Sequence, residues 1–233
     1  MSDIRIAGVR VIDVRFPTSL GSIGSDAVNK DPDYSAAYCI LETNSEHQGH
    51  GLTFTLGRGN EIVVQAVQYL ARNAVGRTLQ SITQDLCAFS RLLTEDSQFR
   101  WLGPEKGVIH VAAGAVINAV WDLYAKAEGK PVWRLLAEMS PEQICSAVDF
   151  RYIDDALSRE DALAILSRSQ ASMPERLTRL EAEGYSAYTT SAGWFGFSDE
   201  KVRRLCREGL AEGWTHFKLK VGGSLLTTSA ARC

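Results

Sequence analysis

The sequence is poor in the features that mark disulfide, metal-finger and membrane-bound proteins. Its five cysteines, Cys39, Cys87, Cys145, Cys206 and Cys233, are scattered along 233 residues. They form no C-x-x-C pair and no Cys/His metal spacing, which excludes a zinc ribbon or a disulfide scaffold. Buried thiols in a reducing compartment account for them. The absence of an N-x-S/T acceptor agrees with an intracellular protein. Neither sign of charge dominates, and a net charge of −3 argues against a nucleic-acid surface or an anionic-membrane partner. No apolar run is read as reaching the roughly 20 residues needed to cross a bilayer. Met1 to Phe16 lacks a secretory h-region, and Asp3 and Asp13 argue against an amphipathic presequence. No G-x-G-x-x-G comes after the first strand pattern, which weakens a dinucleotide-binding fold.

The residues that are present read as two grammars. Ile4 to Phe16 alternates apolar residues with arginines, which predicts a strand kinked at Gly8. Ser19 to Asp33 is rich in Gly, Ser, Asp and Asn, and a loop of that length suits a lid or binding loop. Ala36 to Thr43 and Gly51 to Leu56, joined by a polar turn, complete a three-stranded antiparallel meander. Helical stripes come next: one capped by Asn60, one running from Thr78 to Leu93, and a long one after Pro104 that ends at Gly129. Pro131 opens a short helix. Residues 1–140 therefore read as an α+β domain and 141–183 as a helical connection, with Ser158 and Asp161 as a capping box. In 184–233 a phrase repeats. Glu183-Gly184-Tyr185 leads to Ala187-Tyr188-Thr189-Thr190, and Glu212-Gly213-Trp214 leads to His216-Phe217-Lys218-Leu219-Lys220. A helix capped by Ser198 lies between them, so the segment reads as a βαβ unit, the start of a parallel sheet.

The last strand places Lys218 and Lys220 on one face and Phe217, Leu219 and Val221 on the other. On spacing alone the lysines are solvated charges, because lysine is seldom buried. Facing into a closed site, each amine would disfavour the other's protonation, and a lysine could then act as a base. His110 on its helix reads as a packing residue, and His216 as a surface residue near the strand's start. Gly57-Arg58-Gly59-Asn60 reads as a strand-to-helix turn in preference to an anion nest.

Several stretches together resemble the enolase superfamily, within it the L-fuconate dehydratase branch. They are Asp13-Val14-Arg15-Phe16-Pro17-Thr18-Ser19, Asp31-Pro32-Asp33-Tyr34-Ser35-Ala36-Ala37-Tyr38, Arg100-Trp101-Leu102-Gly103-Pro104-Glu105-Lys106-Gly107, Ala119-Val120-Trp121-Asp122-Leu123, Asp149-Phe150-Arg151-Tyr152, Ala187-Tyr188-Thr189-Thr190-Ser191 and Lys218-Leu219-Lys220. The resemblance implies an N-terminal capping domain and, after it, the first β/α units of an incomplete TIM-like barrel. It implies that Lys220 moves the proton next to a substrate carboxylate and that Lys218 contacts that carboxylate. Gly24, Ser25, Asp26 and Tyr34 match positions that close over a small-molecule sugar acid. The family stabilises the ene-diolate with Mg²⁺. It also implies a mitochondrial location, and it leaves a homo-oligomer open.

The sequence departs from the family after Gly222, where Gly223 to Cys233 replace an acidic helix. A complete barrel takes roughly 200 residues or more, far beyond the length of chain from Gly184 to Cys233. The acids in that stretch, Asp199, Glu200, Glu208 and Glu212, fall on or at the end of the expected helix, so no metal ligand is assigned. The expectation is a sugar-acid dehydratase lineage whose 233-residue form is inactive alone. A shortened non-catalytic or interaction form, or another acid-sugar dehydratase or racemase, are the alternatives.

Overall fold

The computed structural model describes residues 4–102 and 106–222. Pro104 and the tail 223–233 lie outside the described residues. The described residues form two compact units, one of 4–14, 36–54, 59–102 and 106–181, the other of 15–35, 55–58 and 182–222.

The first unit holds most of three strands, β1 (Ile6–Arg15), β2 (Ser35–Thr43) and β3 (Gly49–Thr55), in the order β1-β2-β3. Asn44 N–H donates to Arg5 O and Phe16 N–H to Tyr34 O, a register that runs antiparallel, as the meander requires. Ile6, Ala37, Cys39 and Leu41 are buried on one side of this sheet. Helices supply the rest of the core: α1 (Asn60–Ala71), α2 (Leu79–Thr83), α3 (Leu86–Thr94) and α4 (Val108–Ala127). α1 packs on α4 through Val63, Val67, Leu70 and the small and branched residues Ala112, Val116, Ala119 and Val120. α4 is long and apolar enough by composition to cross a membrane, contrary to the expectation that no run reaches that length, yet half of it is buried in this unit. That is how a core helix behaves. α5 (Val132–Glu138), α6 (Pro141–Ser146), α7 (Arg159–Gln170) and α8 (Met173–Glu183) complete the unit.

Two local expectations change. Asn60 does not cap α1. Gly59, at φ 85°, takes the cap position, and Asn60 is the first helical residue, fully buried. Its amide donates to Asp13 Oδ1 at 2.6 Å and to Ala36 O at 3.3 Å, so a polar group looks inward to tie α1 to the sheet. The helix expected from Thr78 to Leu93 is two helices, because Asp85 accepts from Ala88 N–H and starts α3 afresh. Thr78 caps α2 and Ser158 caps α7, as the sequence indicates.

In the second unit the expected βαβ unit is present in outline. Its helix is α9 (Asp199–Ala211), capped by Ser198. Its two strands are reduced to one parallel bridge between Thr189 and Phe217. Thr189 N–H donates to His216 O at 3.0 Å and Lys218 N–H to Thr189 O at 2.9 Å. Phe217 is half-buried and packs against Gly209 of α9, while Leu219 and Val221 stay 37% and 50% exposed, so the apolar face of that strand is largely uncovered.

Candidate functional site

The loop between β1 and β2 is folded by its own polar residues. Ser19 donates its N–H and hydroxyl to Asp33 Oδ1 at 3.1 and 2.7 Å, and Thr18 donates its hydroxyl to Pro32 O at 2.8 Å. Those bonds draw the two ends of the loop together, which is why so polar a stretch keeps one shape. Asp33 accordingly has its carboxyl held below the usual carboxylate range, chiefly by the Ser19 hydroxyl.

At the loop's turn, Gly24 lies at φ +84° and is buried. A Cβ there would sit 2.3 Å from the Tyr34 ring, so the phenol occupies the room that a side chain would take. Ser25 is 2% exposed; its hydroxyl lies 2.7 Å from Ser22 O and also meets Phe195 O, so a buried polar group is satisfied. Phe195 N–H donates to Ser25 O at 3.1 Å. Asp26 Oδ1 accepts from Asn29 N–H at 2.7 Å and Val28 N–H at 2.9 Å. These two amides, and more weakly the charge of Lys220, hold its carboxyl below the ordinary range. Burial, and then the charge of Asp26, push the Tyr34 phenol up.

The lysine segment meets this loop within the same unit. Lys220 Nζ lies 4.0 Å from Asp26 Oδ2 and 5.6 Å from the centroid of Trp194. Trp194 in turn meets Tyr34 edge-on, with ring centroids 6.3 Å apart. Lys220 N–H donates to Gly193 O at 2.8 Å, which fixes the backbone below the amine. Lys218 is exposed, its ammonium 5.6 Å from the ring of Tyr188. Gly24, Ser25, Asp26, Tyr34 and Lys220 are therefore brought together, while Lys218 stands over a different ring. Sequence reasoning missed Trp194. Its signal was weak: a Trp-Phe-Gly-Phe run just after the stretch Ala187 to Ser191, in a segment with no periodic pattern.

His110 is half-buried on α4 and His216 is exposed, with its Nδ1 2.8 Å from the Thr215 hydroxyl. Trp101 is 80% exposed. Among the described residues, no three His, Cys, Asp or Glu side chains cluster to hold a metal ion. Asp199 and Glu200 open α9, Glu208 lies within it and Glu212 caps its end. The described residues therefore do not fit Mg²⁺, which needs oxygen ligands converging at near-octahedral geometry.

Comparison with known proteins finds relatives along most of the chain. Residues 32–137 match the family described as mandelate racemase / muconate lactonizing enzyme, N-terminal domain. An L-galactonate dehydratase of Hypocrea jecorina is 54% identical over 226 residues, 97% of this chain and 50% of that protein. Mitochondrial enolase superfamily member 1 of Homo sapiens is 54% identical over 223 residues, 95% of this chain and 50% of that protein. The crystal structure of the human protein superposes with a TM-score of 0.91 over 95% of this chain and 51% of that one. At 16% identity, L-talarate/galactarate dehydratase from Salmonella typhimurium LT2, liganded with Mg and L-lyxarohydroxamate, shares the fold, with a TM-score of 0.65 over 99% of this chain and 48% of that one. The chain spans about half the length of the curated relatives it matches.

Proposed function

This chain carries the N-terminal capping domain of the enolase superfamily, and on that premise we propose that it is the capping and first-barrel portion of a sugar-acid dehydratase. Lys220 takes the proton from the carbon next to the substrate carboxylate. Loss of the neighbouring hydroxyl as water then gives an enol that tautomerises to a 2-keto-3-deoxy acid. Lys218 holds the carboxylate, and Gly24, Ser25, Asp26 and Tyr34 close over the polyol. The observation that carries this reading is the meeting of the Asp26 loop with Lys220 in one unit, at 4.0 Å. A lysine facing a polar loop suits an anionic polyol better than an apolar ligand.

The substrate we favour is L-fuconate. L-galactonate, which gives the fungal relative its name, is the same skeleton with a hydroxyl at C6, and it is the second reading. Mg²⁺ assists the whole family member, and its carboxylate ligands are not among the described residues. The 233-residue chain by itself is accordingly expected to turn over neither acid, and a mitochondrial setting accords with the names of the relatives.

The test has two arms. Mixed with L-fuconate or L-galactonate and Mg²⁺, the purified chain should form no 2-keto acid. Fused in place of the corresponding half of the human relative it should do so, and Lys220→Ala should lower turnover by about 10²–10⁴-fold, the usual contribution of a general base. Metal-dependent turnover by the chain alone, or a fully active Lys220→Ala fusion, overturns the respective assignment.

A further inference from the structure

Trp194 has no part in the dehydratase reading, yet it touches both halves of the candidate site. Its ring lies 5.6 Å from Lys220 Nζ. Its edge contact with Tyr34, at 6.3 Å, reaches the phenol that fills the space at Gly24. The next residue, Phe195, exchanges contacts with Ser25 through its N–H and its carbonyl. Gly193, just before it, accepts from Lys220 N–H, and its missing side chain admits Leu219, which a Cβ there would meet at 2.2 Å. The segment 193–195 is thus fixed by backbone on the lysine side and on the loop side, with the indole between.

We propose that Trp194 is the positioning residue for Lys220, its indole face holding the amine toward the Asp26 loop while the same ring meets Tyr34 in a T-shaped contact. This deepens the dehydratase reading and rests on it for the role of Lys220. The physical basis is the negative face of the indole ring, which attracts a cation and is strongest in Trp among the aromatics. The charged and titratable groups around the amine are Asp26 from the loop, Tyr34 behind it and Lys218 two residues away on its own segment. Asp26 pulls the amine from one side and Trp194 covers it from another, so the amine has a defined place before any substrate arrives.

The test reads the lysine and not the reaction, so its outcome is independent of whether the dehydratase reading stands. The intact chain is treated with trace acetic anhydride at neutral pH, and acetylation is measured residue by residue by mass spectrometry. In Trp194→Leu, Lys220 should label about two- to fivefold faster than in the unaltered chain, the size expected for an exposed cation–ring contact. Lys126 and Lys130, in the other unit, should not change. Because Leu could disturb the fold, the aromatic series Trp, Trp194→Tyr, Trp194→Phe keeps a ring in place, and labelling of Lys220 should rise in that order. A flat series, or a rise shared equally by Lys126 and Lys130, overturns the proposal. If the graded series holds while the fusion enzyme shows no turnover, the positioning role survives and the assigned reaction does not.

Discussion

Single residues in this chain are fixed by close approach, and two glycines show how closely. A Cβ at Gly24 would meet the Tyr34 ring at 2.3 Å, and the backbone at φ +84° already disfavours an L side chain. Gly24→Ala should therefore cost about 1–3 kcal/mol in the second unit, from overpacking and strain together. Faster proteolysis between residues 18 and 33, with the urea midpoint of the core unchanged, would show it; an unaltered cleavage rate would contradict it. Gly51 lies where β3 meets α4, and a Cβ there would fall 2.2 Å from Ala115 O and 2.3 Å from Ala119 N. Neither backbone atom can rotate away as a flexible side chain would. Gly51→Ala should thus destabilise the core itself, again by about 1–3 kcal/mol, and lower its urea midpoint. The lysine pair is the contrasting case. Period-two spacing places Lys218 and Lys220 on one face, but their surroundings come from residues far away in sequence, Tyr188 for one and Asp26 with Trp194 for the other.

At the scale of elements, charge pairing joins pieces that apolar packing leaves at the rim. Asp149 lies between Arg91 of α3, at 2.7 Å, and Arg151, which also pairs with Glu95. Hydrogen bonds from Arg151 and then Arg91 hold the Asp149 carboxyl far below the ordinary range. A depressed carboxyl lends its stability above the unfolded value, about 3.9, and loses it as pH falls through the folded value. Asp149→Asn should therefore lower the urea midpoint at pH 7, and the gap to the unaltered chain should narrow at pH 3 and below. A gap of equal size at both pH values would mean that packing, not charge, is what Asp149 supplies. The elements themselves were largely legible in the sequence. β1, β2 and β3 lie within two residues of their expected bounds, and the Thr78, Ser158 and Ser198 caps each accept from an N–H three residues on. Asn60 misled because a side chain suited to capping turned inward to Asp13, a choice made by tertiary contacts. The long helix after Thr78 broke at Asp85 because a local acceptor outcompeted the continuing apolar stripe. The loop of the candidate site was legible as a loop but not in its shape, which depends on Ser19 reaching Asp33 fourteen positions away. Trp194 was illegible because only the folded chain brings it to Lys220.

Over the whole molecule, the two units differ in what holds them. The contiguous apolar core, from Ile6 and Leu41 to Val116, Leu123 and Leu135, lies in the first unit. In the second, the buried apolar side chains among the described residues come down to Pro32 and Ala192, while Leu219, Val221, Trp214 and Leu210 are each at least 37% exposed. The second unit is fixed mostly by hydrogen bonding: Ser19 to Asp33, Phe195 to Ser25, Lys218 to Thr189. Such bonds add about 1 kcal/mol each against water and do little to hold a backbone closed without apolar cover. The consequence is a split in local stability. In hydrogen–deuterium exchange of the intact chain, peptides from β2 and from α4 should stay protected for hours, whereas peptides covering 185–222 should exchange within minutes. L-fuconate should slow exchange near Asp26 and Lys220 and leave α4 unchanged, because a ligand stabilises by mass action only the structure it binds. L-fucose, the neutral sugar, should have no effect, since it brings no carboxylate to the lysines. Protection as strong in 185–222 as in α4, without ligand, would show that the exposed apolar side chains of the second unit are covered in solution and would remove the basis for a ligand-stabilised site.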